Sequence, residues 1–196
     1  MKIGILGAGN VGATLGRKWA ASGHDVRMGV RSPGDGEVSM GEAFNHGEVL
    51  LLATPWGPAE GFLKGLGDFG GKILIDATNP IAPDLSGLTH GTTTSGAEQV
   101  AAWARGSRVV KCFNTVGFNV MENTSFAEGK PSMLYCGDGA EAKHVAGQLA
   151  AECGFEPLDA GPLMQARWLE PLAMLWITMA IKHGYGREMA FRLMRR

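Results

Sequence analysis

Residues 2–21, KIGILGAGNVGATLGRKWAA, decide the fold. A short apolar run, Lys2 to Leu6, passes directly into Gly7, Gly9 and Gly12, and the residues that follow have helical apolar spacing. Gly7 permits a tight turn, Gly9 lets a diphosphate approach the backbone with no Cβ in the way, and Gly12 allows close packing of helix on strand. The start of the helix, at Asn10 and Val11, adds unbonded N–H groups and the positive end of the helix dipole, which together favour an anion. The same glycines in a loop would say little. Set between a strand and a helix, they read as a dinucleotide-binding turn.

Outward from this turn, short apolar runs bounded by glycine alternate with helical patterns. The runs are DVRMGV from Asp25, VLLLATP from Val49, KILIDATNP from Lys72, RVVKCF from Arg108, SMLYCGD from Ser132 and FEPLDAG from Phe155. Continuous runs, as opposed to strict alternation, mark strands covered on both faces. The expected fold is therefore α/β: a Rossmann-type doubly wound, mostly parallel sheet with helices on both faces. One domain over residues 1–196 is expected, with 162–196 as a C-terminal helical extension. Ser95 with Glu98 reads as a capping box, and Ser39 with Glu42 as a weaker one. Between Gly139 and Cys153, apolar residues recur at helical spacing and predict a helix with one face on the sheet. The stretch from Arg31 to Gly47 has room for at most one small helix, so a strand and helix of the usual pattern look trimmed there.

Of the 196 residues, 45% are hydrophobic and 19% charged, with a net charge of -1, which disfavours nucleic acid and anionic membrane as partners. The N-terminus lacks the long apolar core of a secretory signal. Cys112, Cys136 and Cys153 are odd in number and stand apart from histidine, which argues against a disulfide framework and a zinc site and fits a reducing cytoplasm. The most apolar stretch, Pro171 to Ile181, falls well short of the roughly 20 residues that span a bilayer.

A sheet that prefers NAD commonly ends its second strand in a carboxylate for the ribose hydroxyls. Here DVRMGV is followed by Arg31 and Ser32, a cation and a hydroxyl donor that suit the 2′-phosphate of NADP. In the other reading, Arg31 is a surface charge and Asp35 or Glu37 meets the ribose. Ligands lie beyond the carboxyl ends of parallel strands, so Ala53, Thr54 and Pro55, and Asn79 with Pro80, are cofactor-binding candidates. Trp56 either lies along the cofactor or caps the sheet. The sequence holds no nucleophile with a paired base, carboxylate dyad or metal cluster, so no catalytic side chain and no metal are expected. His90 is the one histidine to consider as a proton donor. Cys112 reads as a packed thiol, and Lys111 as a partner for a phosphate or for an acidic neighbour.

Taken in order, GILGAGNVGATLGRKWAASGHDV, GVRSP, LLLATPW, ILIDATNP, SGAEQVAAWA, VVKCFNTVG, CGDGAEAK and GFEPLDAGPLMQAR resemble the coenzyme F420-dependent NADP oxidoreductases. The fold of that family is similar to the oxidoreductase domain of the STEAP metalloreductases. The resemblance implies NADP at the glycine turn, with its 2′-phosphate met by a Ser-Arg pair at the end of the second strand. Here Val30-Arg31 stands at that place, with Ser32 following. It also implies direct hydride transfer between nicotinamide and a deazaflavin (F420) or flavin-like acceptor, with the protein supplying position and no acid or base. By the same resemblance the acceptor lies between Asn114, Thr115, Val116 and Gly117 on one side and the loop Gly161 to Gln165, including Leu163, on the other. The segment after Arg31 is shorter than the family's.

The C-terminal segment from Leu163 onward carries Trp168, Leu172, Leu175, Trp176 and Met179, more apolar surface than one sheet edge covers. A homodimer is expected there; the other reading is a helix buried in its own subunit. The expected function is NADP(H)-dependent hydride transfer to a deazaflavin or flavin-like acceptor. Two alternatives stand beside it: reduction of a small carbonyl or imine with a donor such as His90, and a non-catalytic NADP(H)-sensing module.

Overall fold

The computed structural model describes residues 1–196. The chain opens with β1 (Lys2–Leu6), α1 (Asn10–Ala21), β2 (Asp25–Val30), β3 (Val38–Ser39), α2 (Met40–His46) and β4 (Val49–Leu52). It continues with α3 (Ala59–Gly65), β5 (Ile73–Asp76), α4 (Gly96–Trp103), β6 (Arg108–Lys111) and α5 (Phe118–Glu122). Last come β7 (Ser132–Gly137), α6 (Ala140–Glu152), β8 (Glu156–Asp159), a 3-10 turn (Leu163–Gln165) and α7 (Ala166–Lys182). The strands form one 8-stranded sheet in the order β3-β2-β1-β4-β5-β6-β7-β8. β1 to β6 run parallel and switch direction of build between β1 and β4, the place where such sheets bind ligands.

The continuous apolar strands are buried on both faces, as their pattern requires. Ile3, Ile5, Leu51, Ile75 and Val110 point to one side, against Leu15 and Trp19 of α1 and Leu149 of α6. Leu6, Leu50, Leu52 and Leu74 point to the other, against Phe44, Leu63, Val100 and Leu169. Each fully buried leucine or isoleucine contributes roughly 1.5–3 kcal/mol. The buried Trp19 indole also donates to the Leu149 carbonyl at 3.1 Å, joining α1 to α6.

Between β2 and α2 the expected trimming is partial. The edge strand survives as two residues, Val38 and Ser39, paired with Gly29 and Val30. Ser39 completes a full capping box with Glu42, whereas Ser95 only half completes its own. Glu98 is drawn away from the backbone by Arg167, whose guanidinium bonds it at 2.9 and 2.7 Å and lowers its pKa.

β7 departs from the parallel pattern. It pairs antiparallel with β6, Val110 opposite Gly137 and Lys111 opposite Cys136, and β8 then follows β7. The carboxyl ends of β7 and β8 therefore lie at the opposite edge of the sheet from those of β1 to β6. The C-terminal segment is helical only to Lys182. Residues 183–196 fold back without helix, the Trp176 indole donating to the Met189 carbonyl at 2.8 Å and Ser132 N–H to the Phe191 carbonyl at 3.0 Å. All three cysteines are free and buried, and burial pushes the Cys136 and Cys153 thiols up to about 12. No helix is long and apolar enough to cross a membrane.

Candidate functional site

The glycine turn adopts the conformation its sequence prescribes. Gly7 has φ +108°, which a side chain would strain, and a Cβ on Gly12 would run into the Gly7 carbonyl oxygen. Gly9 has ordinary extended angles, and a Cβ there would meet nothing within 4 Å. The first backbone hydrogen bond of α1 runs from Ala13 N–H to the Gly9 carbonyl at 2.8 Å, and no side chain caps the helix. The N–H groups of Asn10, Val11 and Gly12 are thus left for a ligand.

Two adjoining clefts open over this turn. One, of about 380 Å³, is lined by Gly7, Gly9, Val30, Arg31, Pro58 and Phe62 among others. The second, of about 490 Å³, passes from Gly9, Asn10 and Val11 along Thr78, Asn79 and Ile81 to Phe118 and Arg187. They share Gly9, Ala53, Thr54 and Pro55, so together they form a groove across the carboxyl ends of β2, β1, β4 and β5. The Thr54 hydroxyl in its wall is buried without a hydrogen-bond partner, a polar atom that a ligand group would satisfy. An unfilled cradle at Gly9, an uncapped helix and an orphaned hydroxyl fit a dinucleotide.

Arg31 is exposed at the end of β2, with no carboxylate within 4 Å, and it lines the first cleft. Neither Asp35 nor Glu37 lines either cleft, and the Glu37 carboxylate instead accepts the Gly34 N–H at 3.0 Å. Of the other cofactor candidates, Ser32 lies just outside the groove and Gly12 beneath it. Pro80 is buried against Gly96 at the start of α4.

The acceptor-side residues are placed differently from expectation. Asn114, Thr115 and Val116 are buried, and Gly117, whose Cβ would strike the Trp176 ring at 2.7 Å, caps α5. Asn114 and Asn79 bond each other through Asn79 Nδ2 to the Asn114 carbonyl (2.9 Å) and Asn114 Nδ2 to Asn79 Oδ1 (3.1 Å). The turn that holds Asn114 begins at Phe113, a left-handed residue (φ +64°) whose ring is packed between Trp19 and Phe155. None of the four residues Asn114 to Gly117 lines the groove; the residue that does is the next one, Phe118. Gly161, Leu163 and Gln165 line neither cleft. They sit at the far edge because β7 is reversed: Gly137 N–H bonds the Gly161 carbonyl at 3.1 Å, and Leu163 N–H bonds Asp138. His90 lines a separate cleft with Pro171 and Leu175, its ring edge-on to Trp56 at 5.5 Å. Trp56 both lines the groove and packs on Trp103.

Behind the groove lies a group of charges that sequence reading left open at Lys111. Lys111, Asp76 and Glu170 are wholly buried; Lys111 Nζ is 2.9 Å from each carboxylate and donates to the Thr78 carbonyl at 2.6 Å. Asp76 Oδ1 accepts the Thr78 N–H and hydroxyl, and Glu170 accepts the Gly96 and Ala97 N–H groups at the start of α4. Burial would lower the Lys111 pKa, but the two carboxylates outweigh it and hold the value above the ordinary 10.5. The ammonium and Asp76 thereby grip both sides of Thr78, in the wall of the groove. The acidic neighbours, and no phosphate, are the partners of Lys111.

Residues 2–80 match the family model described as NADP oxidoreductase, coenzyme F420-dependent. The metalloreductase STEAP3 of Rattus norvegicus is 32% identical over 185 residues, 89% of this chain, and the chain spans 37% of that relative's length. The crystal structure of a candidate F420-dependent NADP-reductase from Arthrobacter sp. FB24 superposes with a TM-score of 0.89 at 27% identity, over 100% of both chains. A reductive aminase from Aspergillus terreus, at 17% identity and a TM-score of 0.66 over 93% of this chain and 62% of its own, shares the fold. Residues 2–80, which hold the glycine turn, are thus similar to the coenzyme F420-dependent NADP oxidoreductases, and the architecture matches that of the Arthrobacter protein from end to end.

Proposed function

We propose that the protein exchanges a hydride between NADPH and a deazaflavin or flavin-like acceptor. The observation that carries this reading is the groove itself. It runs from an unpaired arginine at the end of β2, across an uncapped helix, to an apolar end at Ile81 and Phe118. Gly7, Gly9 and the N-terminus of α1 would hold the diphosphate, Arg31 the 2′-phosphate, and Thr54, Pro55, Thr78 and Asn79 the nicotinamide half. Bound there, NADPH supplies a hydride, two electrons with one proton, and any further proton comes from solvent. The side chains of the groove exclude water and fix approach, which is the contribution direct hydride transfer asks of a protein. Reduction of a carbonyl or imine would add a proton donor beside the acceptor, and His90 faces another cleft.

Titration with NADPH and NADH, then absorbance-monitored turnover with coenzyme F420, FMN and a ferric chelate, tests this. Arg31→Glu is expected to weaken NADPH at least tenfold relative to NADH, as a charge-assisted contact of roughly 1.5–3 kcal/mol becomes repulsion. Unchanged discrimination would remove Arg31 from the assignment, and tight NADPH binding with no acceptor would point to a sensor.

The exposed apolar residues Met164, in the 3-10 turn, and Trp168 and Leu175, on α7, 51%, 60% and 52% exposed, support a homodimer built on this segment. Its buried face, Leu169, Ala173 and Trp176, packs within its own subunit, which leaves the exposed residues for a second copy. Wild type should sediment at twice the chain mass and Trp168→Glu at the monomer mass; a monomeric wild type would exclude the dimer. Three buried thiols suit a reducing compartment such as the cytoplasm.

A further inference from the structure

Arg187 is the only charged side chain that lines the nicotinamide end of the groove. It comes from the segment after α7, which is pinned on both sides of it. Before it, Tyr185 N–H bonds the Met179 carbonyl at 3.3 Å; after it, the Met189 carbonyl accepts from Trp176. Gly184 and Gly186, at φ +73° and +77°, turn the backbone back over the cleft. The guanidinium has no carboxylate within 4 Å and no hydrogen-bond partner in the protein.

An exposed, unpaired arginine on a surface loop would be ordinary, but this one is aimed by its anchors into a cleft wall. The anions of a dinucleotide already have their partners in the groove, the diphosphate at α1 and the 2′-phosphate at Arg31. The surplus cation stands beside Ile81 and Phe118, an apolar platform of the kind a flat ring system covers.

We propose that Arg187 recognises an anionic group, phosphate or carboxylate, carried by the hydride acceptor, and so selects acidic acceptors over neutral ones of the same ring system. A guanidinium suits both oxyanions because its planar fork can donate two parallel hydrogen bonds. The inference rests on the hydride-transfer reading above for the identity of the ligand as an acceptor.

FMN and riboflavin share a ring and differ by one phosphate, so they are the probes. Fluorescence titrations of each into the NADP-saturated protein should show FMN bound at least tenfold more tightly. Arg187→Gln should bring the two within twofold of each other, Arg187→Lys should keep part of the preference, and circular dichroism should confirm that both variants are folded. A wild type without preference, or a preference that survives in Arg187→Gln, overturns the proposal. So does a tenfold loss of NADPH affinity in Arg187→Gln with the flavin preference kept, because the arginine then serves the dinucleotide. Turnover of the same samples separates the two readings: FMN preference lost in the variant, with no hydride transfer to either flavin in wild type, upholds anion recognition and removes the hydride reading.

Discussion

Lys111→Met should lose about 3–5 kcal/mol of stability at neutral pH, the cost of leaving buried charge without its partner. The substitution keeps the volume of the lysine stem but strands Asp76 and Glu170, both wholly buried, and frees the Thr78 carbonyl. With a urea slope of about 2 kcal/mol/M, the unfolding midpoint should fall by about 2 M. Adding Asp76→Asn and Glu170→Gln should return part of the loss, since the amides can be buried without charge. A drop below about 1 kcal/mol for the single variant would mean that water reaches the cluster. The raised pKa of Lys111 fixes the direction of its pH dependence. A folded-state pKa above 10.5 gives stability that is complete below the unfolded value and is lost as pH rises through the folded one. The effect therefore belongs to strong alkali, and measurements near pH 7 lie on the plateau.

Gly9→Val should do the opposite: keep the fold and lose the ligand. The residue has φ -69° and ψ -172°, angles open to any side chain, and nothing lies within 4 Å of its added Cβ. Stability should stay within about 0.5 kcal/mol of wild type. The valine would fill the space a diphosphate needs, so NADPH affinity should fall at least about 100-fold, which is about 2.8 kcal/mol at 1.4 per tenfold. Denaturation with and without NADPH reads both quantities: wild type gains stability from the nucleotide, and the variant does not. A variant that binds NADPH like wild type would move the diphosphate away from this turn. Gly12→Ala is the control with the reverse outcome, because its Cβ would collide with the Gly7 carbonyl oxygen beneath the groove.

The cofactor candidates that line the groove are legible in the sequence because their determinants are local. A glycine turn, an arginine one residue past a strand and a Thr-Pro step at a strand end are each complete within a few residues. Thus Gly9, Arg31, Thr54, Pro55 and Asn79 all line the groove. The placing of the expected acceptor residues depends on chain reversal and long-range return, which leave no local trace. SMLYCG reads as a buried strand in either direction, and only its pairing with β6 shows that the loop it leads to, around Gly161, belongs to the far edge. Arg187 reaches the groove through contacts made by Trp176 and Met179, residues read for their apolarity alone. The two caps illustrate competition: Ser95 and Glu98 have the motif, but Arg167, 69 residues away, claims the carboxylate.

Glu170 occupies the N-terminal end of α4 with its carboxylate. Like α1, α4 begins at the ligand edge of the sheet, yet its leading N–H groups already hold a carboxylate supplied by the protein itself. The fold thus carries a built-in surrogate for a phosphate. Of these two helix ends able to attract anions, that of α4 is permanently answered from within and that of α1 is left open.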